Sequence, residues 1–102
     1  MTTIDGANVH KLVVACDAGM GSSAMLAGTV RKQLAKQGVT VVHTSVQEIP
    51  SDADLVLTHA GLAERARGVV PSVPVVPFQL FLGDPAVKKV VDAIQQGATV
   101  DV

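Results

Sequence analysis

Four short apolar runs rich in valine recur along the chain, separated by longer segments of mixed polarity. Short runs with many β-branched side chains are typical of strands that are buried on both faces, as in a parallel sheet. The last run contains Pro74, which cannot donate a hydrogen bond and is tolerated at a sheet edge or a strand start. The pattern therefore predicts strands over residues 12–15, 39–43, 55–58 and 73–76.

The segments between these runs show the spacing of helices. In residues 23–37 the apolar positions fall on one face of a helix, and a shorter helix is predicted over residues 60–67. The last helix begins at Asp84-Pro85, with Asp84 as its N-cap, and ends at Gly97. Its apolar stripe comprises Val87, Val90, Val91 and Ile94.

Strands that alternate with helices predict an α/β fold. We expect a four-stranded parallel sheet in the order 2-1-3-4, with right-handed crossovers and flanking helices. The same pattern assigns residues 11–97 to a single domain, residues 1–10 to a lead-in or linker, and residues 98–102 to a tail. Cys16 follows the first strand, at the carboxyl edge where open sheets of this kind bind ligands.

Composition narrows the possible functions. Of the 102 residues, 48% are hydrophobic and 2% are aromatic, and the formal net charge is −1. The chain has no excess of basic residues to attract phosphates and few aromatic side chains on which bases could stack, so binding to nucleic acid is not expected. The sequence has neither an apolar run long enough to span a bilayer nor a signal peptide, so we expect a cytoplasmic protein without membrane insertion. The single cysteine forms no internal disulfide, and it makes no zinc site by itself.

The segment after the first strand, Cys16-Asp17-Ala18-Gly19-Met20-Gly21-Ser22-Ser23, is the candidate functional loop. Its two glycines allow the backbone to curl so that successive N–H groups converge on an anion. The helix that follows adds the positive end of its dipole, and the two serines add hydroxyl donors. Such a loop stabilises both a phosphate and a cysteine thiolate, which makes Cys16 a candidate nucleophile. The neighbouring carboxylate of Asp17 opposes the thiolate.

Other phosphate-binding loops match this segment only in part. The spacing Gly19-x-Gly21-x-x-Ala24 agrees with a dinucleotide-binding fingerprint, but no acidic residue ends the second strand. The chain has no Gly-Lys-Ser or Gly-Lys-Thr, which excludes a nucleotide-binding P-loop. Low-molecular-weight tyrosine phosphatases carry Cys-x5-Arg in a similar small α/β fold, and Asp84-Pro85 resembles their general acid. Ser22 stands where they have the arginine that stabilises the phosphoryl charge, so efficient phosphomonoester hydrolysis is not expected.

Residues 13–25 read Val-Val-Ala-Cys-Asp-Ala-Gly-Met-Gly-Ser-Ser-Ala-Met. This segment closely resembles the active-site loop of the enzyme IIB components of the bacterial phosphoenolpyruvate-dependent sugar phosphotransferase system, and among them the mannitol type. Residues 52–59, together with Leu62, Glu64 and Arg65, are similar to that family as well. The resemblance covers most of the predicted domain.

This resemblance implies a protein-phosphohistidine–sugar phosphotransferase that works through phosphocysteine. Cys16 would accept a phosphoryl group from a phosphohistidine of a IIA domain and pass it to a hexitol, mannitol by the resemblance, bound in the membrane-embedded IIC domain. Residues 17–23 would bind the phosphoryl group, and no metal or other cofactor is implied. The missing arginine suits a carrier, which must not lose its phosphoryl group to water. A thiol-dependent phosphatase and a non-catalytic, anion-binding regulatory module are the alternatives.

Further residues are assigned from their positions in the predicted elements. His59 follows the third strand, beside the first strand in the predicted order, where it is either an auxiliary group for the Cys16 loop or a helix cap. His43 is expected to be an ordinary surface residue, and Arg65 is expected on a solvated helix face. Met25 is expected in the core.

Overall fold

The computed structural model of the protein describes residues 3–17, 21–80 and 83–101. The strands are β1 (Thr3–Asp5), β2 (Lys11–Cys16), β3 (Thr40–Ser45), β4 (Leu55–His59), β5 (Val75–Phe78) and β6 (Thr99–Asp101). The α-helices are α1 (Gly21–Gln33), α2 (Ala63–Val69) and α3 (Pro85–Gln96). Short 3-10 helices cover Gly6–Asn8, Ala35–Gln37, Val46–Glu48 and Ala60–Leu62. The predicted alternation of strands and helices is confirmed.

Strands β2 to β5 form one parallel sheet in the order β3-β2-β4-β5. The labels differ from the predicted 2-1-3-4 because a further strand, β1, precedes the four predicted ones, which occupy the predicted places. Strand β2 lies between two neighbours, and its Leu12 is in register with Val41 of β3 and Leu55 of β4. Pro74 directly precedes β5, an edge strand, as its missing N–H requires.

Helices cover both faces of this sheet. On one face α1 and α3 close a large apolar cluster, whose members include Leu12, Val14, Val30, Leu57 and Val90. On the other face α2 covers a smaller cluster, which includes Val13, Ala15, Val56 and Ala66. Because side chains alternate along a strand, Cys16 faces the same side as Val14, toward α1.

Met25 differs from its predicted place in the core, since 63% of it is exposed. The buried face of α1 is formed by its neighbours Leu26 and Ala27, together with Val30. Met25 lies on the opposite face of the helix, where its side chain meets solvent.

The two ends of the chain also differ from the predicted lead-in over residues 1–10 and tail over residues 98–102. Strands β1 and β6 pair antiparallel, with Ile4 opposite Val100, and Ile4 is only 1% exposed. The side chain of Thr3 donates to Asp101, 98 positions further along the chain. Strands of three residues show no periodicity, and local patterns cannot reveal partners so distant in sequence.

Candidate functional site

Strand β2 brings Cys16 to the carboxyl edge of the sheet. Cys16 is in register with Ser45 of β3, and only 4% of it is exposed. The fully buried Thr58 of β4 donates from Oγ1 to the carbonyl oxygen of Ala15, at 3.0 Å. This hydrogen bond joins the ends of β2 and β4 beside the thiol, so the residue before Cys16 is held on a rigid element.

The thiol of Cys16 has a histidine partner on β3. The distance from Cys16 Sγ to His43 Nε2 is 3.2 Å. His43 is in register with Val14 and is partly buried. Since Val14 and Cys16 lie on one face of the sheet, the imidazole reaches the thiol along that face.

His43 is therefore no ordinary surface residue, and that prediction is wrong. The signal was present in the sequence, because the predicted order placed the second strand next to the first. Alternation along the second strand then puts residues 41 and 43 on the same face. Val41 belongs to the core on that face, so residue 43 had to lie under α1 as well.

The loop after Cys16 is described only in part. Ala18, Gly19 and Met20 lie outside the described residues, whereas Gly21, Ser22 and Ser23 form the first turn of α1. The helix thus starts five positions after Cys16, two residues earlier than the predicted start at 23. Its first backbone N–H groups have no acceptor within the helix, and the dipole places a partial positive charge at this end.

Asp17 is paired with an arginine of α2. Arg65 Nη1 lies 3.3 Å from Asp17 Oδ1, and the two side chains are 50% and 69% exposed. The cation offsets part of the negative charge that Asp17 places beside the thiol. The sequence assigned Arg65 to a solvated helix face and did not reveal this pairing, which joins positions 48 apart.

His59 is exposed and lies at the carboxyl end of β4. Its Nδ1 accepts the backbone N–H of Gly61 at 3.2 Å, so the side chain caps the 3-10 helix Ala60–Leu62. Its ring also packs edge-on against Phe78, with the ring centroids 6.2 Å apart. Of the two predicted roles, the described contacts show the cap.

Asp84 is another acidic residue near this edge of the sheet. Its Oδ2 accepts the backbone N–H groups of Gln79 and Leu80, and its Oδ1 accepts that of Ala86 as the N-cap of α3. Burial raises the pKa of Asp84, but the hydrogen bonds from backbone N–H groups outweigh burial and hold this pKa below its usual value. Asp84 is therefore ionised at neutral pH and has no proton to donate as a general acid.

Within the described residues, no cluster of three or more histidine, cysteine or acidic side chains is arranged to hold a metal ion. In the same part of the chain, no helix is long and apolar enough to cross a membrane. A groove of about 270 Å³ lies between α1 and α3, with Leu26, Val30, Val87 and Val91 among its lining residues. Neither Cys16 nor His43 lines it.

Comparison with known proteins shows which family the chain resembles. Residues 11–93 match the family described as "PTS system, Lactose/Cellobiose specific IIB subunit". The mannitol-specific EIICB component of Geobacillus stearothermophilus is 38% identical over 92 residues, which are 88% of this chain and 20% of that protein. The mannitol-specific EIICBA component of Escherichia coli (strain K12) is 45% identical over 83 residues, which are 78% of this chain and 13% of that protein.

A mannitol-specific cryptic EIICB component of Escherichia coli (strain K12) is 44% identical over 79 residues. That match covers 76% of this chain and 17% of that protein. The chain thus spans a fifth or less of the length of these curated relatives. Their names agree with the mannitol type to which the Cys16 loop was compared. The family match covers most of the chain, and the chain therefore belongs to the IIB family of the sugar phosphotransferase system.

Proposed function

We propose that this IIB domain carries a phosphoryl group on Cys16. The observation that carries the proposal is the position of this thiol. Cys16 is the last residue of the central strand β2, at the carboxyl edge of the sheet, and α1 begins five positions later. An anion bound at Cys16 would meet the N-terminal end of α1, where unpaired N–H groups and the helix dipole favour negative charge.

Residues 17–23 bind the phosphoryl group in this proposal. Gly21, Ser22 and Ser23 would do so from the first turn of α1. The phosphoryl group is spread over three oxygens in a loose transition state, so its stabilisation depends on hydrogen bonds that are already in place. The pairing of Asp17 with Arg65 supports the proposal, because it lowers the repulsion between Asp17 and an incoming phosphate.

The phosphoryl group comes from a phosphohistidine of a IIA domain and goes to mannitol bound in a membrane-embedded IIC domain. The names of the relatives, EIICB and EIICBA, support these two partners, and the word mannitol in them supports the hexitol. The domain then acts at the cytoplasmic face of the membrane, held there by IIC. Neither transfer requires a metal or a nucleotide.

A carrier must keep its phosphoryl group from water, and two features favour transfer over hydrolysis. Ser22 stands where tyrosine phosphatases of this type have arginine, so a guanidinium clamp for hydrolysis is missing from that position. Both oxygens of Asp84 are occupied by backbone N–H groups, and its pKa is lowered, so it cannot serve as general acid for a leaving group.

Reconstituted transfer tests the proposal. Membranes that contain a mannitol-specific IIC domain without its own IIB are mixed with phosphorylated IIA and this protein, and mannitol phosphate is measured. We expect product with the wild type and with the surface variant His10→Gln, and none with Cys16→Ser. Product formed equally by Cys16→Ser would contradict the role of the thiol. Transfer only through a lactose- or cellobiose-specific IIC would contradict mannitol as the substrate.

A further inference from the structure

The contact between Cys16 and His43 pairs the single thiol of the chain with a titratable side chain. Its atoms are 3.2 Å apart, and neither sequence reasoning nor the proposed function assigns His43 a role. Two protonation states fit such a contact. Either the thiol donates to a neutral imidazole, or a protonated imidazole donates to a thiolate.

The fold holds the imidazole firmly in this place. His43 belongs to β3, whose hydrogen bonds to β2 fix its register opposite Val14. Helix α1 covers the same face and is tied to β3 by Arg31, whose Nη2 donates to the carbonyl oxygen of Val41 at 3.0 Å. A partly buried ring between a sheet and a helix has few alternative orientations, so the contact with Sγ is preorganised.

Because Cys16 is almost fully buried, the stability of its thiolate depends on the side chain that contacts the sulfur. With 4% of Cys16 exposed, a thiolate there has little contact with water and needs another source of stabilisation. A cationic donor at hydrogen-bond distance supplies both opposite charge and a hydrogen bond. Cysteine and histidine paired in this way form the activated nucleophile of many enzymes that use a thiol.

We propose that His43 takes the proton of Cys16 and holds the thiol as a thiolate, ready to accept the phosphoryl group. This proposal rests on the proposed function of Cys16 and adds a second reacting side chain to it. His43 places a cation within hydrogen-bond distance of the sulfur, while Arg65 pairs with Asp17. The N-terminal end of α1 supplies neutral donors for the phosphoryl oxygens.

Charged and titratable groups lie on each element around this pair. The cations and carboxylates do not contact Sγ in the described structure; their effect on the pair is through space and is weakened by solvent. These groups are Asp17 after β2, Arg31 on α1, Glu48 after β3, His59 on β4 and Arg65 on α2.

The transfer step balances in atoms and charge. The thiol proton moves from Sγ to Nε2 of His43, and the thiolate attacks the phosphorus of the donor phosphohistidine. An S–P bond forms while the P–N bond of the donor breaks, and the electron pair of that bond stays on the donor nitrogen. The donor nitrogen takes up one proton from solvent, and His43 returns its proton to solvent. One thiol and one phosphohistidine thus become one phosphocysteine and one histidine.

The rate of alkylation of Cys16 by iodoacetamide, measured against pH, tests the proposal without any phosphodonor. Because only the thiolate reacts, the rate follows its population. In His43→Gln, which keeps a hydrogen-bond donor but loses the charge, we expect the midpoint of the profile to move to higher pH. The rate at neutral pH should fall about tenfold. The control His10→Gln should leave the profile unchanged. A profile of His43→Gln that overlays the wild type would overturn the proposal.

A second measurement keeps the proposal testable even if His43→Gln does not fold. The titration of the His43 imidazole is followed by NMR in the wild type and in Cys16→Ser. Loss of the thiolate should lower the proton affinity of His43 about tenfold, which moves the midpoint of this titration about one pH unit lower. The effect matches that expected for Cys16 because the coupling between two sites is reciprocal. An unchanged midpoint for His43 in Cys16→Ser would overturn the proposal.

The proposed function and this inference fail separately. If His43 and Cys16 titrate as a pair but the protein takes up no phosphoryl group from IIA, the proposed carrier role is wrong. The proposed activation of Cys16 by His43 still holds in that case. If uptake on Cys16 occurs at the wild-type rate in His43→Gln across the pH range, the carrier role holds and the role of His43 is overturned.

Discussion

Strand β2 begins and ends among charged side chains, and its two ends differ in what those side chains contact. At the amino end, Oδ2 of Asp54 accepts the backbone N–H groups of His10 and Lys11, at 2.8 Å and 2.9 Å, and a side-chain pair there, between Lys11 and Asp52, faces solvent. At the carboxyl end, Cys16 and Asp17 contact side chains, those of His43 and Arg65 respectively.

The difference separates groups that hold the fold from groups that are available for chemistry. A carboxylate bonded to backbone N–H groups cannot leave without unpairing them, which costs stability. A pair of side chains can exchange its partner for a ligand while the backbone stays in place. We therefore expect substitutions at the amino end of the sheet to change the free energy of unfolding, and those around Cys16 to change reactivity.

The largest effect on stability is expected for Gly6→Ala, near the amino end. A Cβ at Gly6 would collide with the backbone of Ala93 and Ile94 at the end of α3, and backbone cannot move aside as a flexible side chain can. The free energy of unfolding should fall by about 3 kcal/mol in thermal or urea unfolding. Gly28→Ala is the matched control, since no atom lies near its added Cβ and alanine suits the interior of α1 better. Equal stability of the two variants would contradict the tight packing at Gly6.

The next effect sharpens the comparison, because Asp84 lies near the carboxyl edge but contacts backbone. Asp84→Ala removes the N-cap of α3 and leaves the N–H groups of Gln79 and Leu80 without their acceptor. The free energy of unfolding should fall by about 2 kcal/mol, with no change in the alkylation rate of Cys16. Asp92→Ala, on the same helix but away from its start, is the control. A slower reaction of Cys16 in Asp84→Ala would show that location, and not the type of contact, decides the effect.

The stability that Asp84 contributes should depend on pH in one direction. The pKa of Asp84 is lowered in the folded protein, so the folded state favours the ionised carboxylate relative to the unfolded chain. The contribution is complete above the unfolded pKa, about 3.9, and is lost as the pH falls through the lower folded value. The difference in unfolding free energy between wild type and Asp84→Ala should therefore stay constant near neutral pH and shrink below about pH 4. A difference that grows on acidification would contradict the direction of the shift.

The smallest effect on stability is expected for Arg65→Gln. Both side chains of the pair with Asp17 are at least half exposed, and exposed ion pairs typically contribute only about 0.2–1 kcal/mol to folding. Without the arginine, Asp17 opposes the thiolate more strongly, so alkylation of Cys16 at neutral pH should slow by about twofold at low salt and less at high salt. Arg67→Gln on the same helix should leave the rate unchanged. A loss of stability as large as that of Asp84→Ala would contradict the division between the two kinds of contact.

The sequence predicted the elements whose signal is local. Valine-rich runs predicted the four strands of the parallel sheet, and Asp84-Pro85 and Gly97 marked the ends of α3, where Gly97 adopts a φ of 65°. Cys16 was found because glycines and serines adjoin it. The pairing of β1 with β6 was not predicted. These three-residue strands lie at opposite ends of the sequence and come together only when the rest of the domain has folded.

The partners of the site residues were harder to predict than the residues themselves. Arg65 reaches Asp17 across 48 positions, a contact that depends on where α2 packs against the sheet. The position of His43 could have been predicted from the sequence, since strand order and the alternation of side chains together place it on the same face of the sheet as Cys16. What no pattern supplies is the side-chain conformation that brings Nε2 within 3.2 Å of Sγ.

The location of the phosphoryl group tests the central claim most directly. The protein is incubated with phosphorylated IIA, digested under conditions that preserve phosphocysteine, and its peptides are analysed by mass spectrometry. We predict one phosphoryl group, on the peptide that contains Cys16, and none on any peptide of Cys16→Ser. A phosphoryl group on His43, His59 or any other residue of the wild type, or uptake by Cys16→Ser, would contradict the account.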